Sequence, residues 1–167
     1  MKLKKNLVLI GMMGVGKSLI GNLLSKKLNL KFFDIDELIE KKNNMKINEI
    51  FSKKGEVYFR KEEEKITLEY IKIQNCIIAS GGGAFINPKI REKILEKSIS
   101  IWLHVDLNTI TRRLKFSKKR PIINKYGLDK IKKIFWEREK TYLLAKHKID
   151  CQNLTKKEIL DKIIKII

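Results

Sequence analysis

The chain has 167 residues, 43% of them hydrophobic, which suits one compact domain with a real core and excludes a disordered chain. Its formal net charge of +19 would by itself point to nucleic acid, but only six of the 38 basic residues are arginine and the lysines run along the whole chain, so the excess reads as solvated surface and no nucleic-acid partner is expected. Two widely spaced cysteines, Cys76 and Cys151, exclude a disulfide framework or a cysteine-built metal site and read as small buried hydrophobes in a reducing compartment.

The N-terminal MKLKKNLVLIG has the basic start and short apolar run of a secretory signal. No small-residue cleavage site follows, and the run is far short of the ~20 residues that a membrane span needs. It reads as a first strand, 6–11, and the protein as cytoplasmic. GMMGVGKS, residues 11–18, comes next, followed by a helix over KSLIGNLLSKKL with Leu19, Ile20, Leu23, Leu24 and Leu28 on one stripe. A second strand, KFFDI (31–35), runs into DIDE and the helical ELIEKK. A long helix is predicted over EVYFRKEEEKITLEYIK, then a strand over CIIAS (76–80), which ends in SGGGA. PKIREKILEK begins a helix at Pro88, a residue suited to a first helical turn. SIWLHV (100–105) is the fourth strand. KFSKKRPIINKYG (115–127) is polar, basic and broken by Pro121 and Gly127, which predicts a loop and a lid over about 114–127. LDKIKKIFWEREKTYLLAKH is a long amphipathic helix, KID (148–150) a weak last strand, and TKKEILDKIIKII a closing helix with Thr155 and Glu158 spaced as a capping box. That last helix has the apolar and lysine faces of a membrane-surface helix, but packing on the sheet is the preferred reading, and no membrane partner is expected.

Continuous apolar strands alternating with helices predict a three-layer α/β/α fold with a parallel sheet of about five strands. No repeat or linker interrupts the chain, so residues 1–167 read as a single domain.

Gly11, Gly16, Lys17 and Ser18 fit the phosphate-loop pattern G-x-x-x-x-G-K-[ST], with a strand before it and a helix after it. Glycines let backbone N–H groups approach phosphate oxygens, the helix N-terminus adds partial positive charge, Lys17 reaches the β and γ phosphates, and the Ser18 hydroxyl suits Mg²⁺. This implies ATP or a similar triphosphate, held by Gly14, Val15, Gly16, Lys17, Ser18 and Leu19, but names no reaction. The acceptor side is more open. Asp34 and Asp36 would share a face if extended, where they could orient Mg²⁺ water and grip a hydroxyl; equally, Asp36 could be the N-cap of the helix that follows. Gly81, Gly82 and Gly83 are either a flexible turn or a loop at the sheet's carboxyl edge that lets a ligand touch backbone N–H groups. In a lysine-rich chain, Arg60, Arg112, Arg113, Arg120 and Arg138 suggest planar contacts to carboxylate or phosphate, though any one of them could be a surface ion pair.

The ordered set GMMGVGKS, DID, FRKEE, SGGGA, RRLKFSKKRP and EREKTY resembles the shikimate kinases, over about residues 5–153. That resemblance implies ATP- and Mg²⁺-dependent transfer to the 3-hydroxyl of shikimate, a step of chorismate and aromatic amino-acid synthesis, by a monomer. It implies that Asp36 binds the acceptor hydroxyl and takes its proton, and that Asp34 orients Mg²⁺ water. Arg60 and Arg138 would hold the shikimate carboxylate, and Gly81, Gly82 and Gly83 would wall the substrate's hydroxyls. Arg120 would reach the phosphates on lid closure, Arg113 would stack on adenine, and Phe51 and Phe59 would line the apolar side of the ring or simply pack in the core. Another small-molecule or nucleotide kinase, a binding protein that keeps the fold, and a nucleic-acid binder are the competing readings.

Overall fold

A computed structural model describes residues 3–115 and 122–167, with side chains except at 122–126. Among the described residues, five strands form one parallel sheet: β1 (Asn6–Ile10), β2 (Lys31–Asp34), β3 (Cys76–Ala79), β4 (Ser98–His104) and β5 (His147–Asp150), in the order β2-β3-β1-β4-β5. The predicted strands stand, each within a residue or two at its ends. Their continuous apolar runs are explained by burial on both faces: every residue of β1 and β3 is buried.

Among the described residues, eight α-helices flank the sheet: α1 (Lys17–Leu28), α2 (Ile35–Asn43), α3 (Ile47–Lys53), α4 (Gly55–Tyr70), α5 (Pro88–Lys97), α6 (Leu107–Lys115), α7 (Ile122–Tyr142) and α8 (Lys156–Ile164). Right-handed crossovers place α1 on one face and the helices after β2 and β3 on the other. In keeping with this, α1 packs with α8, and α4 with α5. The α8 start is the predicted capping box, with Thr155 Oγ1 accepting from Glu158 N and Glu158 Oε2 accepting from Thr155 N. Its Ile159 and Ile163 are buried in the core, so this helix packs rather than lying on a surface. Among the described residues no helix is long and apolar enough to cross a membrane. Cys76 and Cys151 are free and buried, and burial pushes each thiol up to about 11.

Three expectations are corrected. Leu19 does not lie on the buried stripe of α1; it is 47% exposed, and Ile20, Leu24 and Leu28 form the stripe four residues apart. Helices α3 and α6 were not predicted. The polar segment before Leu128 is not all loop: α7 begins at Ile122, and Gly127, with φ 74, breaks it where the long helix was expected to start. At the other end of the predicted lid, Leu114 and Lys115 close α6; residues 116–121, including Arg120 and Pro121, lie outside the described residues.

One register feature prepares the site. Asp34 of β2 pairs with Ala79 of β3, which pairs with Leu9 of β1. The carboxyl edges of three neighbouring strands therefore end level, and the loops that leave them meet. The chain turns from β1 out to β2 on one side and reaches β4 on the other, so this is also the switch point where open α/β sheets bind ligands.

Candidate active site

The loop after β1 winds tightly enough to demand its glycines. Gly11 has φ 142, and a Cβ there would lie 2.5 Å from the Leu103 carbonyl oxygen on β4, so a side chain would push the loop off the sheet. Gly16 is the N-cap of α1 and supplies no side-chain cap; no acidic residue stands in the first turn, and Lys26 and Lys27 stand in the last. The N-terminus of α1 thus keeps its partial positive charge for an anion. Lys17 is the first residue of α1, and its ammonium donates to the carbonyls of Gly11 (2.8 Å) and Met12 (3.0 Å). Val15 is buried, Gly14 and Ser18 are exposed, and Leu19 leaves the core to stand at the same rim. Arg113, on α6, reaches across to donate to the carbonyls of Gly14 and Val15, both at 3.2 Å. Its guanidinium therefore supports the loop through two backbone carbonyls, a contact between residues almost a hundred positions apart.

On the acceptor side, the DID motif is split between two elements. Asp34 ends β2 and is itself the N-cap of α2: its Oδ1 accepts from Asp36 N (3.0 Å) and Glu37 N (3.4 Å). Asp36 is the second residue of α2. The extended shared face and the Asp36 cap are both overturned, because the chain turns helical at Ile35. The turn separates the two carboxylates by task. Asp34 is buried and tied to the helix end, while Asp36 is turned toward the triple glycine, where an ideal Cβ on Gly81 would lie 3.0 Å from its Oδ1.

The triple glycine is where the charged groups converge. A Cβ on Gly81 would lie 2.2 Å from Glu63 Oε1, and one on Gly83 would lie 2.3 Å from Arg60 Nη1. On Gly82 it would lie 3.3 Å from Met13 N of the phosphate loop and 3.4 Å from Arg138 Nη1. Side chains at 81 and 83 would thus collide with the groups packed there, which favours close backbone approach over a merely flexible turn. Arg60 pairs with Glu63 at 2.7 Å and with Glu56 at 3.1 Å, both on α4. Arg138 donates to the Gly82 carbonyl at 3.0 Å, and so does the hydroxyl of Tyr142. Phe51 and Phe59 meet at a ring-centroid distance of 4.7 Å, with Phe59 buried and Phe51 half-buried.

These geometries place two nucleotide-type features and one acceptor-type cluster along a single sheet edge. A family model described as shikimate kinase matches residues 13–167. A shikimate kinase of Sulfurihydrogenibium sp. (strain YO3AOP1) is 41% identical over 160 residues, covering 96% of each chain. The chain belongs to the shikimate kinase family.

Solved shikimate kinases share its fold. One from Acinetobacter baumannii, in complex with shikimate, superposes with a TM-score of 0.90 at 29% identity and covers 97% of this chain and 92% of that one. One from Aquifex aeolicus superposes with a TM-score of 0.85 at 35% identity, covering 96% and 94%. Against this shikimate kinase background, Glu63 is the residue that sequence reasoning missed. It stood in the middle of FRKEEE, three residues from Arg60, a spacing that places two side chains on one helical face; with three successive glutamates, nothing in the string singled it out. Burial pushes the Glu63 carboxyl above the usual carboxylate range; Arg60 offsets part of that, Asp36 adds to it and Arg138 opposes it. Burial works against the Arg60 charge, but Glu63 and Glu56 outweigh it and leave the guanidinium above its ordinary value. The cluster is an alternation of two carboxylates and two guanidinium groups around three glycines. Arg91 is structural instead: it donates to the carbonyls of Phe85 and Ile86.

Proposed function

We propose that the cleft above β2, β3 and β1 transfers the γ-phosphoryl group of ATP to the 3-hydroxyl of shikimate, giving shikimate 3-phosphate and ADP, within chorismate and aromatic amino-acid synthesis. The observation that carries this reading is the convergence of Asp36, Glu63, Arg60 and Arg138 on Gly81–Gly83, one loop away from the phosphate loop. An acceptor seated there would be gripped by its carboxylate on the arginines and present its hydroxyls to backbone and to Asp36.

The division of labour follows from the chemistry. Shikimate is small, and its carboxylate lies across the ring from the reacting hydroxyl. Anchoring the carboxylate on Arg60 and Arg138 therefore selects which hydroxyl faces the γ phosphorus. The hydroxyl oxygen forms a bond to phosphorus as the bond to the β–γ bridging oxygen breaks, and the hydroxyl proton passes to Asp36. In a loose transition state that proton leaves late, so Asp36 acts first as an orienting acceptor. Gly14, Val15, Gly16, Lys17, Ser18 and Leu19 hold the nucleotide, with Lys17 trading its carbonyl contacts for phosphate oxygens. Arg113 serves the nucleotide side, by stacking on adenine and by holding the loop. Arg120, which lies outside the described residues, would serve the phosphates as the family resemblance implies, and keeping water from that site would limit ATP hydrolysis.

A Mg²⁺ ion fits the residues present. The Ser18 hydroxyl stands in the first turn of α1, and the Asp34 carboxylate, fixed by two backbone N–H groups, ends β2; hydroxyl, water and carboxylate are the oxygen donors this ion prefers. Ser18 would hold it directly and Asp34 through water, and the bound ion supplies charge neutralisation on the phosphates. We further assign the enzyme to the cytoplasm, as a monomer.

The test is ADP release from MgATP with shikimate, gluconate and nucleoside monophosphates compared side by side. Release that depends on shikimate alone is expected. Turnover with another acceptor instead would overturn the substrate, and ATP binding without release in any mixture would favour a binding protein. Asp36→Asn should lose turnover while ATP binding survives; activity near wild type would remove Asp36 from its role.

A further inference from the structure

The Gly82 carbonyl oxygen carries two donors, Arg138 Nη1 at 3.0 Å and the Tyr142 hydroxyl. Both come from α7, four residues apart, and so from one face of the helix. The two donors are unequal. Tyr142 is 1% exposed, with its ring tilted against Trp102 of β4 at a centroid distance of 5.8 Å. Arg138 is half-buried at the acceptor cluster. We propose that Tyr142 is a positioning residue for acceptor binding: it holds the Gly82 carbonyl in place so that Gly83 presents its N–H toward the acceptor and Arg138 can leave the carbonyl for the acceptor's carboxylate. This rests on the roles proposed above for Arg138 and the triple glycine.

Two physical arguments support it. No peptide bond among the described residues is cis, and in a trans peptide the C=O and the next N–H point in opposite directions. Holding the Gly82 oxygen on the α7 side therefore turns the Gly83 N–H to the other side. The second argument concerns the arginine. A carbonyl oxygen has two lone pairs, and stripping its only donor in a part-buried site is unfavourable. With Tyr142 in place, Arg138 can depart without orphaning that oxygen. Without the phenol, Arg138 would be the carbonyl's one side-chain partner among the described residues, and the carbonyl would compete with the substrate for it. Burial pushes the Tyr142 hydroxyl up to about 12, with Arg138 pulling the other way, so the phenol stays a donor at every pH at which the enzyme would work.

The experiment is steady-state kinetics of Tyr142→Phe, which keeps the ring and removes only the donor, alone and combined with Arg138→Ala. The expected result is a rise of about tenfold in KM for shikimate, with KM for ATP and kcat within about twofold of wild type. A residue that merely supported the fold would shift both KM values or lower kcat through loss of active enzyme. In the Arg138→Ala background the same change should raise KM by well under tenfold, because no arginine is left to be released. An unchanged shikimate KM, equal rises for both substrates, or full multiplication of the two mutational effects would each overturn the proposal. A wild-type enzyme that does not turn over shikimate overturns the functional reading instead, so the two failures are told apart.

Discussion

Arg60 and Glu63 sit one turn apart on α4 and meet at 2.7 Å, with the Glu63 side chain only 3% exposed and that of Arg60 34% exposed. The buried partner is thus the acid, and the arginine reaches from it toward the open cleft. Glu63 also stands against Gly81, so it holds Arg60 from the buried side, and in the proposed function the arginine faces the acceptor. Glu63→Gln keeps the shape and removes the charge. We expect KM for shikimate to rise roughly 10- to 100-fold with KM for ATP unchanged, the size of one lost charge-assisted contact. Glu63→Ala should also lower stability by about 1–3 kcal/mol, less than for a fully buried pair because Arg60 is partly solvated. Steady-state kinetics and denaturant melts check both, and an ATP KM that rises in step would show a general loss of structure.

The three glycines should not be equivalent. A Cβ on Gly83 would come within 2.3 Å of the Arg60 guanidinium, whereas on Gly82 the nearest atom would be at 3.3 Å. Gly83→Ala must displace Arg60, so its shikimate KM should rise by about tenfold or more, while Gly82→Ala should cost clearly less. Kinetics of the two variants in parallel decide it; a Gly82→Ala enzyme worse than Gly83→Ala would contradict the geometry.

Arg113 supports the phosphate loop through the carbonyls of Gly14 and Val15. Arg113→Ala should raise KM for ATP about 3- to 10-fold and leave KM for shikimate alone. Binding of inorganic tripolyphosphate separates the two tasks of this residue. Weaker tripolyphosphate binding in the variant would show the loop-supporting role, and unchanged binding would leave only contact with adenine.

The helix that carries Arg113 begins on an acidic cap. Asp106 Oδ1 accepts from Thr109 N at 2.6 Å, and this backbone bond, with help from the Thr109 hydroxyl, holds the Asp106 carboxyl below its ordinary value of 3.8. The native state then binds fewer protons at this group than the unfolded chain does, so the contribution of Asp106 rises with pH. It is present above about 3.8 and is lost as pH falls through the lower native value. Asp106→Ala should therefore melt below wild type at neutral pH, and the gap should close as the pH is taken below that range. A gap that stays constant between pH 7 and 3 would mean the cap is not the cause.

How much of this was readable beforehand depended on the range of the forces involved. The strands were readable because burial on both faces writes itself as a continuous apolar run, as in Leu7–Ile10 and Cys76–Ala79. Helix α5 was readable from Pro88, and α8 from Thr155 and Glu158, since caps and first turns are local. Helix α3 has only seven residues, too few for a period to show; α6 does keep helical spacing in Leu107, Ile110 and Leu114, but spans only nine residues that run straight into the basic segment after Lys115. The cap of α2 falls to Asp34 and not to Asp36 because the turn from strand to helix comes at Ile35, and either of two acidic residues two positions apart can serve as a cap.

The sequence by itself determined the parallel sheet, the phosphate loop and the family, because glycine spacing, apolar runs and ordered motifs are properties of neighbouring residues. The tertiary structure alone decided the partners. The level ends of β2, β3 and β1 bring together residues as far apart as Asp36, Glu63, Gly82 and Arg138, and only that juxtaposition made Glu63 and Tyr142 visible. A buried charge or phenol takes its role from what lies against it once water is excluded, and those neighbours are chosen by sheet order and helix packing across the fold, not by sequence distance.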